Sequence, residues 1–242
     1  MSLAKPTSRT DAIGHHGIMN AHCTNRQASG FKLIELLVII GAVVLLAAML
    51  VVALAAAKHK SGRLGCVNSL KQVNVAFRMW EGDNGDRYPM QVVLTNSETM
   101  KLVTNGNAYL LWQTMSNELG TPKILHCPQD TKRKEAVSFS QGFSDANISY
   151  FFSLDATETY PQMILDGDDN LAVDGVPVKT GVLTFSTNRT IAWTDERHRR
   201  VGNLGMADGS VQQVTIAGLN SAIVTASSGV PTNAVTPRWV FP

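Results

Sequence analysis

From Leu36 to Ala57 the chain reads LLVIIGAVVLLAAMLVVALAAA, without a single charged residue. A helix needs about 20 apolar residues to cross the hydrocarbon core of a bilayer. No other segment approaches that length, so the run predicts one membrane span and one domain outside the bilayer. Across all 242 residues, 44% hydrophobic and 17% charged is ordinary globular composition, enough for a domain with a real core. The formal net charge is +2, and Lys5, Arg9 and Arg26 against Asp11 account for it. The chain beyond Gly30 is therefore near neutral. A nucleic-acid reader carries a basic face, so nucleic acid is not an expected partner.

Residues 1–30 are polar, rich in His, Ser, Asn and Gly, and show no apolar period. A secretory signal places its apolar centre before a small-residue cleavage site. Here the order is reversed: the polar stretch comes first, then Ser29-Gly30, then Phe31, and only then the apolar helix. Cleavage after Gly30 would leave the span on the mature chain. A lipoprotein signal fits poorly, because no apolar stretch precedes Cys23. Glu35 stands at the edge of the span, where an ionised carboxylate is costly and calls for a partner or a function.

The stretch Gly30-Phe31-Lys32-Leu33-Ile34-Glu35-Leu36-Leu37-Val38-Ile39-Ile40 resembles the prepilin processing motif. The resemblance implies cleavage between Gly30 and Phe31 and N-methylation of Phe31 by a prepilin peptidase. It implies an assembly role for Glu35, which would neutralise the Phe31 amine of a neighbouring subunit. An amine and a carboxylate attract far more strongly in an apolar bundle than in water. The competing reading is an uncleaved signal anchor with a chance Glu near its end. Lys32 stands where Thr is common in that family, and Val52 where many members carry Pro, so no kink is built in there. Lys58, Lys60 and Arg63 follow the span and blur the charge rule for orientation. The resemblance places the N-terminus in the cytoplasm and the C-terminal domain outside a bacterial inner membrane.

After Ala57 the sequence becomes amphipathic. Leu64, Val67, Leu70, Val73, Phe77 and Trp80 recur at three- and four-residue steps, as one helix face does. Gly62 and Gly65 weaken the helix locally. The turn residues Glu81-Gly82-Asp83-Asn84-Gly85-Asp86 end it near Gly82. A helix over 31–81 would be roughly 75 Å long. Cys66 and Cys127 follow the span, in the part expected to face an oxidising compartment; they either pair as a disulfide or remain two buried thiols.

Cys66-Val67-Asn68-Ser69-Leu70-Lys71-Gln72, Asn84-Gly85-Asp86-Arg87-Tyr88-Pro89 and Cys127-Pro128-Gln129-Asp130 resemble elements of a pseudopilin-like family of planctomycetes, verrucomicrobia and relatives. That resemblance favours the Cys66–Cys127 disulfide. His198, nine intervening residues and then Asp208-Gly209 match the family's "H-x9-DG" signature. It carries no chemistry that the residues themselves reveal, and a structural role for Asp208-Gly209 is the expectation.

The expected fold is α+β and pilin-like, a long N-terminal helix packed on a small antiparallel sheet. Residues 107–119 read as one short helix, and 148–154, 182–185 and 190–194 as strands. Asp208-Gly209 between 203–207 and 210–215 predicts a two-residue hairpin. The chain divides into a leader (1–30), a span (31–57), an amphipathic continuation (58–82), an outer domain (83–216) and a loose tail (217–242), with Trp239 and Phe241 able to dock back. Asp166, Asp168, Asn170 and Asp174 form an acidic loop whose alternating oxygens suit Ca²⁺. The sixth position is Leu171 rather than Gly, and a solvated turn is the simpler reading. No nucleophile elbow, zinc-protease motif or phosphate loop is present, so catalysis is not expected. The function implied is a filament subunit of a type II secretion-like machine or a minor pilus. Its partners would be the prepilin peptidase, like subunits and an inner-membrane assembly platform. The alternative is a membrane-tethered domain that binds glycans or secreted cargo.

Overall fold

The computed structural model describes residues 30–95, 97–185, 189–228 and 237–242, without the side chains of 55–60 and 97. The protein is α+β. Its helices are α1 (Leu33–Asp83), α2 (Pro89–Val92), α3 (Ser97–Thr104), α4 (Tyr109–Thr114), α5 (Ser116–Leu119) and α6 (Ile216–Ser228). Its strands are β1 (Tyr150–Ser153), β2 (Ile164–Asp168), β3 (Leu171–Val173), β4 (Val176–Pro177), β5 (Gly181–Thr184), β6 (Ile191–Trp193), β7 (Val201–Met206), β8 (Val211–Thr215) and β9 (Arg238–Phe241). The chain forms two units, Met1–Met49 and Leu50–Pro242, and α1 contributes to both.

Leu33–Leu54 is long and apolar enough to cross a membrane, and every one of its side chains is exposed in the single chain. A core helix of a soluble protein would be covered along such a run.

In the second unit α1 ends at Asp83, one residue past the predicted stop, and Gly85 and Asp86 take positive φ in the turn that follows. The buried face runs through Cys66, Leu70, Val73, Asn74, Phe77 and Glu81. Leu64, placed on the apolar stripe by its spacing, is instead exposed. The two glycines explain the rotation. A Cβ on Gly62 would lie 2.8 Å from Gln129 Cγ, and one on Gly65 would lie 3.5 Å from Pro128. The helix presents its bare backbone side to that loop, so the contact face passes through 62, 65 and 66 rather than 64.

The large sheet has the order β5-β9-β1-β2-β7-β8, and the small one β4-β3-β6. All recorded strand pairs are antiparallel. Both faces of the large sheet are covered. Phe152, Leu165 and Val240 meet Val73 and Phe77 of α1 and Leu111 and Trp112 of α4. Edge-on rings link Phe77 to Tyr88 and Trp112, and Trp112 to Phe152. On the opposite face Phe151, Leu204, Trp239 and Phe241 meet Trp193 of β6 and Leu219 and Ile223 of α6.

Three sequence expectations are corrected. Residues 107–119 form two helices, because Met115 (φ −92°, ψ 17°) closes a tighter turn onto Trp112 O. The 207–209 connection is a three-residue loop: Met206 N–H donates to Ser210 O, and Gly209 N–H to Met206 O. A two-residue type I′ turn needs positive φ at both central residues, and only Gly209 (φ +85°) has it. The described residues of 217–242 are no loose tail. Residues 217–228 belong to α6 and 238–241 to β9, and β9 pairs with β1 on one side and β5 on the other; 229–236 lie outside the described residues.

Near the end of α1, Glu81 is buried, 3.6 Å from Arg78, which also pairs with Glu158 at 2.5 Å. Burial and the Glu158 carboxylate push Glu81 up to about 7, against the pull of Arg78. A carboxyl whose pKa is raised on folding holds its proton more tightly in the native state. Its burden is absent below the unfolded value and grows as pH rises towards the folded one. Glu81→Gln should therefore gain about 2 kcal/mol more stability over the parent at pH 8 than at pH 5. Denaturant unfolding at the two pH values checks this, and a pH-independent gain would contradict it.

Candidate functional site

A polar cluster is buried where β2 meets α1. The pairing of β2 with β7 slips between Ile164 and Asp166. An extra residue of this kind re-aims the side chains that follow. Ile164 joins the core under α6, while Leu165 joins the core under α1. Asp166 and Asp168 then stand opposite Phe152 and Tyr150 of β1. Both carboxyls are fully buried. Burial and the neighbouring Asp168 push Asp166 well above the carboxylate range, with only the Gly205 N–H pulling it back. Burial raises Asp168 to about 6, while Arg197 and Asn203 draw it down. Its Oδ2 accepts both the backbone N–H and the side-chain amide of Asn203, each at 2.8 Å.

The loop Asp195–Arg200 closes over this cluster. Arg197 is buried and ion-pairs with Asp169 and with Asp130 (3.3 Å), and its Nη1 donates to Ser149 O. Arg133 completes a ring with Asp130 (3.2 Å) and Asp169 (2.5 Å). Asp130 also accepts from Ser149 Oγ at 2.8 Å. Burial would raise Asp130, but Arg197, Ser149 and the Lys132 N–H hold it at about 2. Buried ions that are paired and hydrogen-bonded on every side are costly to break singly.

His198, Arg199 and Arg200 all adopt left-handed φ, +55°, +54° and +61°. Non-glycine residues in that region cost of order 1–3 kcal/mol each and cluster at functional sites. The bend carries the His198 imidazole inward. Its Nε2 lies 3.4 Å from Cys127 Sγ and 3.6 Å from Asp168 Oδ2. Burial, then Arg197 and Arg63, push the imidazole down to about 4, so it is neutral at physiological pH. Nδ1 has no hydrogen-bond partner among the described residues. Cys66 and Cys127 are joined by a disulfide with Cα atoms 5.4 Å apart. Above them opens a cleft of about 1100 Å³, bounded by Ser61, Gly62 and Arg63 of α1, by Pro128 and Gln129, and by the 195–199 loop.

The other residues singled out by sequence fall elsewhere. Gly30 and Phe31 are exposed ahead of α1. Glu35 sits in the first turn of α1 and accepts a hydrogen bond from Lys32 N (3.1 Å), which satisfies one free N–H of the helix start. Asp208 and Gly209 lie at the hairpin tip, where Asp208 Oδ1 accepts from Ser210 N at 2.8 Å. Their role there is to make the turn, and the buried His198 carries the rest of the signature. The proposed Ca²⁺ loop is corrected. Asp166 and Asp168 are buried on β2, whereas Asp174 is exposed between β3 and β4 and bonds to Arg189 Nε and Thr190 N. Asn170 is buried and donates to Thr194 O. The four do not form the alternating acidic loop that their spacing suggested.

Asp130, Asp169, Arg197 and Asn203 escaped notice as site residues. The run Asp195-Glu196-Arg197-His198-Arg199-Arg200 reads as a solvated charged turn, and only its two central residues are buried. The chain matches no protein-family model, no curated protein and no solved structure.

Proposed function

We propose that the protein is a pseudopilin or type IV pilin-like subunit, cleaved after Gly30 by a prepilin peptidase and N-methylated at Phe31. The observation that carries this reading is the start of α1. An apolar helix of membrane-crossing length, Leu33–Leu54, begins one residue behind Gly30-Phe31, after Lys32, and Glu35 is its only charged residue. A cut at Gly30 leaves that helix on the mature chain, as filament assembly from the membrane requires. The helix runs without a break into the second unit, where its buried face packs on the α+β head. In this reading the chain sits in a bacterial inner membrane with its N-terminus cytoplasmic and its head outside. It works by assembling with like subunits on a membrane platform, in type II-like secretion, and it performs no catalysis.

Mass spectrometry of the mature N-terminus tests the proposal. N-methyl-Phe31 is the expected result; a chain starting at Met1 in a host with an active prepilin peptidase would sink it. Glu35→Val should leave cleavage intact while incorporation into filaments falls roughly tenfold or more, the usual effect of removing one partner of a desolvated charge pair. Equal incorporation of variant and parent would remove the assembly role.

A second reading draws on the cleft beside Arg63 and Arg199, whose volume suits a small ligand. It makes the head a tethered binding domain that uses the same export route.

A further inference from the structure

We propose that Cys66, Cys127 and His198 form a three-ligand site for Zn²⁺ when the two cysteines are reduced, with water from the adjoining cleft as the fourth ligand of the tetrahedron. The donors converge. The two sulfurs and one imidazole nitrogen lie within 4.8 Å of one another. A zinc ion holding sulfur at about 2.3 Å and nitrogen or oxygen at about 2.0–2.1 Å keeps tetrahedral neighbours roughly 3.3–3.8 Å apart. His198 Nε2 meets that spacing at 3.4 Å to Cys127 Sγ, and Asp168 Oδ2 lies beside the same nitrogen at 3.6 Å without joining the converging donors.

The donor set suits the ion. Two thiolates and an imidazole favour Zn²⁺ over the hard ions Mg²⁺ and Ca²⁺. The two thiolates balance the dication, and the imidazole adds no charge. The surroundings orient the ligands, as outer partners of zinc sites do. The left-handed turn at 198–200 holds the imidazole against the sulfurs. All three ligand side chains are buried, and the cleft over His198 gives the ion and its water ligand an approach from solvent.

Disulfide and zinc are alternative states of one site. A dithiol reductant opens the Cys66–Cys127 bond by exchange: its two thiols become a disulfide, and two protons and two electrons pass to the cysteines. Zn²⁺ then binds both sulfurs and displaces their two protons to solvent. The inference is independent of the assembly role proposed above.

The test uses the full chain in detergent, with Cys23→Ser to remove the third cysteine. The protein is reduced with dithiothreitol, freed of reductant under nitrogen, and titrated with Co²⁺ as a spectroscopic stand-in. One Co²⁺ per chain is expected, with a thiolate-to-metal band in the near ultraviolet and intense visible bands of tetrahedral geometry, both erased by Zn²⁺. His198→Ala or His198→Gln should weaken Co²⁺ binding by at least roughly tenfold and change the visible bands. The proposal is overturned if stoichiometric Co²⁺ gives the parent no thiolate band while two thiols per chain stay titratable. It is equally overturned if a folded His198 variant keeps the parent's affinity and spectrum.

Discussion

A chain ending at Ser228 is expected to lose the cooperative fold of its head. The deletion removes β9, which lies inside the large sheet between β1 and β5. Val240 stands opposite Phe152 on one side and Val182 on the other. Trp239 stacks on Phe151 with ring centres 4.3 Å apart and meets Phe185 at 3.9 Å. Arg238 ties the strand to Asp155 through its backbone N–H and its guanidinium. Losing one buried Trp or Phe side chain costs about 3–5 kcal/mol. Trp239, Val240 and Phe241 are all buried. Their joint loss, with both hydrogen-bonded ladders, rivals the 5–15 kcal/mol that holds a typical domain together. Loss of near-ultraviolet circular dichroism and of a sharp denaturant transition is the expected result. A sharp transition in the truncated chain would show that β9 is dispensable.

Gly205→Ala should destabilise the head by more than about 3 kcal/mol, at or beyond the upper end of overpacking. The argument is one of space, since Gly205 does not have a left-handed φ. An added Cβ would collide with the Asp166 carboxyl and lie 2.8 Å from the Asn74 amide. Neither can move aside easily. Asp166 is fully buried on β2, and Asn74 is buried on α1 with its amide donating to Ser210 O. The glycine lets the β7 backbone, the bulged strand and the helix come together, and the buried carboxyl occupies the space a side chain would take. Denaturant unfolding of parent and variant measures the loss; a difference under about 1 kcal/mol would mean that the cluster has room to spare.

These residues also show what a sequence makes legible. The apolar span, the amphipathic half of α1 and the strands around 150, 183 and 192 are encoded locally, by hydropathy and periodicity. The Asp208-Gly209 turn is local too, although its loop holds three residues rather than two. Strand β9 was not legible because a four-residue strand has almost no signature of its own. Trp239 and Phe241 become strand residues through partners more than 50 positions away in sequence. The buried cluster was hidden for the same reason. A charged run such as 195–200 looks solvated unless Asp130 and Asp169 are known to wait for Arg197. Asp166 and Asp168 suggested a surface loop because the bulge that turns them inward belongs to a pairing, and pairing is non-local. Cys66 and Cys127 were legible as a pair, but not as neighbours of His198.

The inner position of β9 also sets an order in time. A polypeptide is made and exported from its N-terminus, and most domains gain structure as they emerge. Here β1 and β5 have no bridge between them until residues 238–241 have been made, and pairings of such long range close slowly. The large sheet therefore stays incomplete until β9 enters it, after all its other strands have been made.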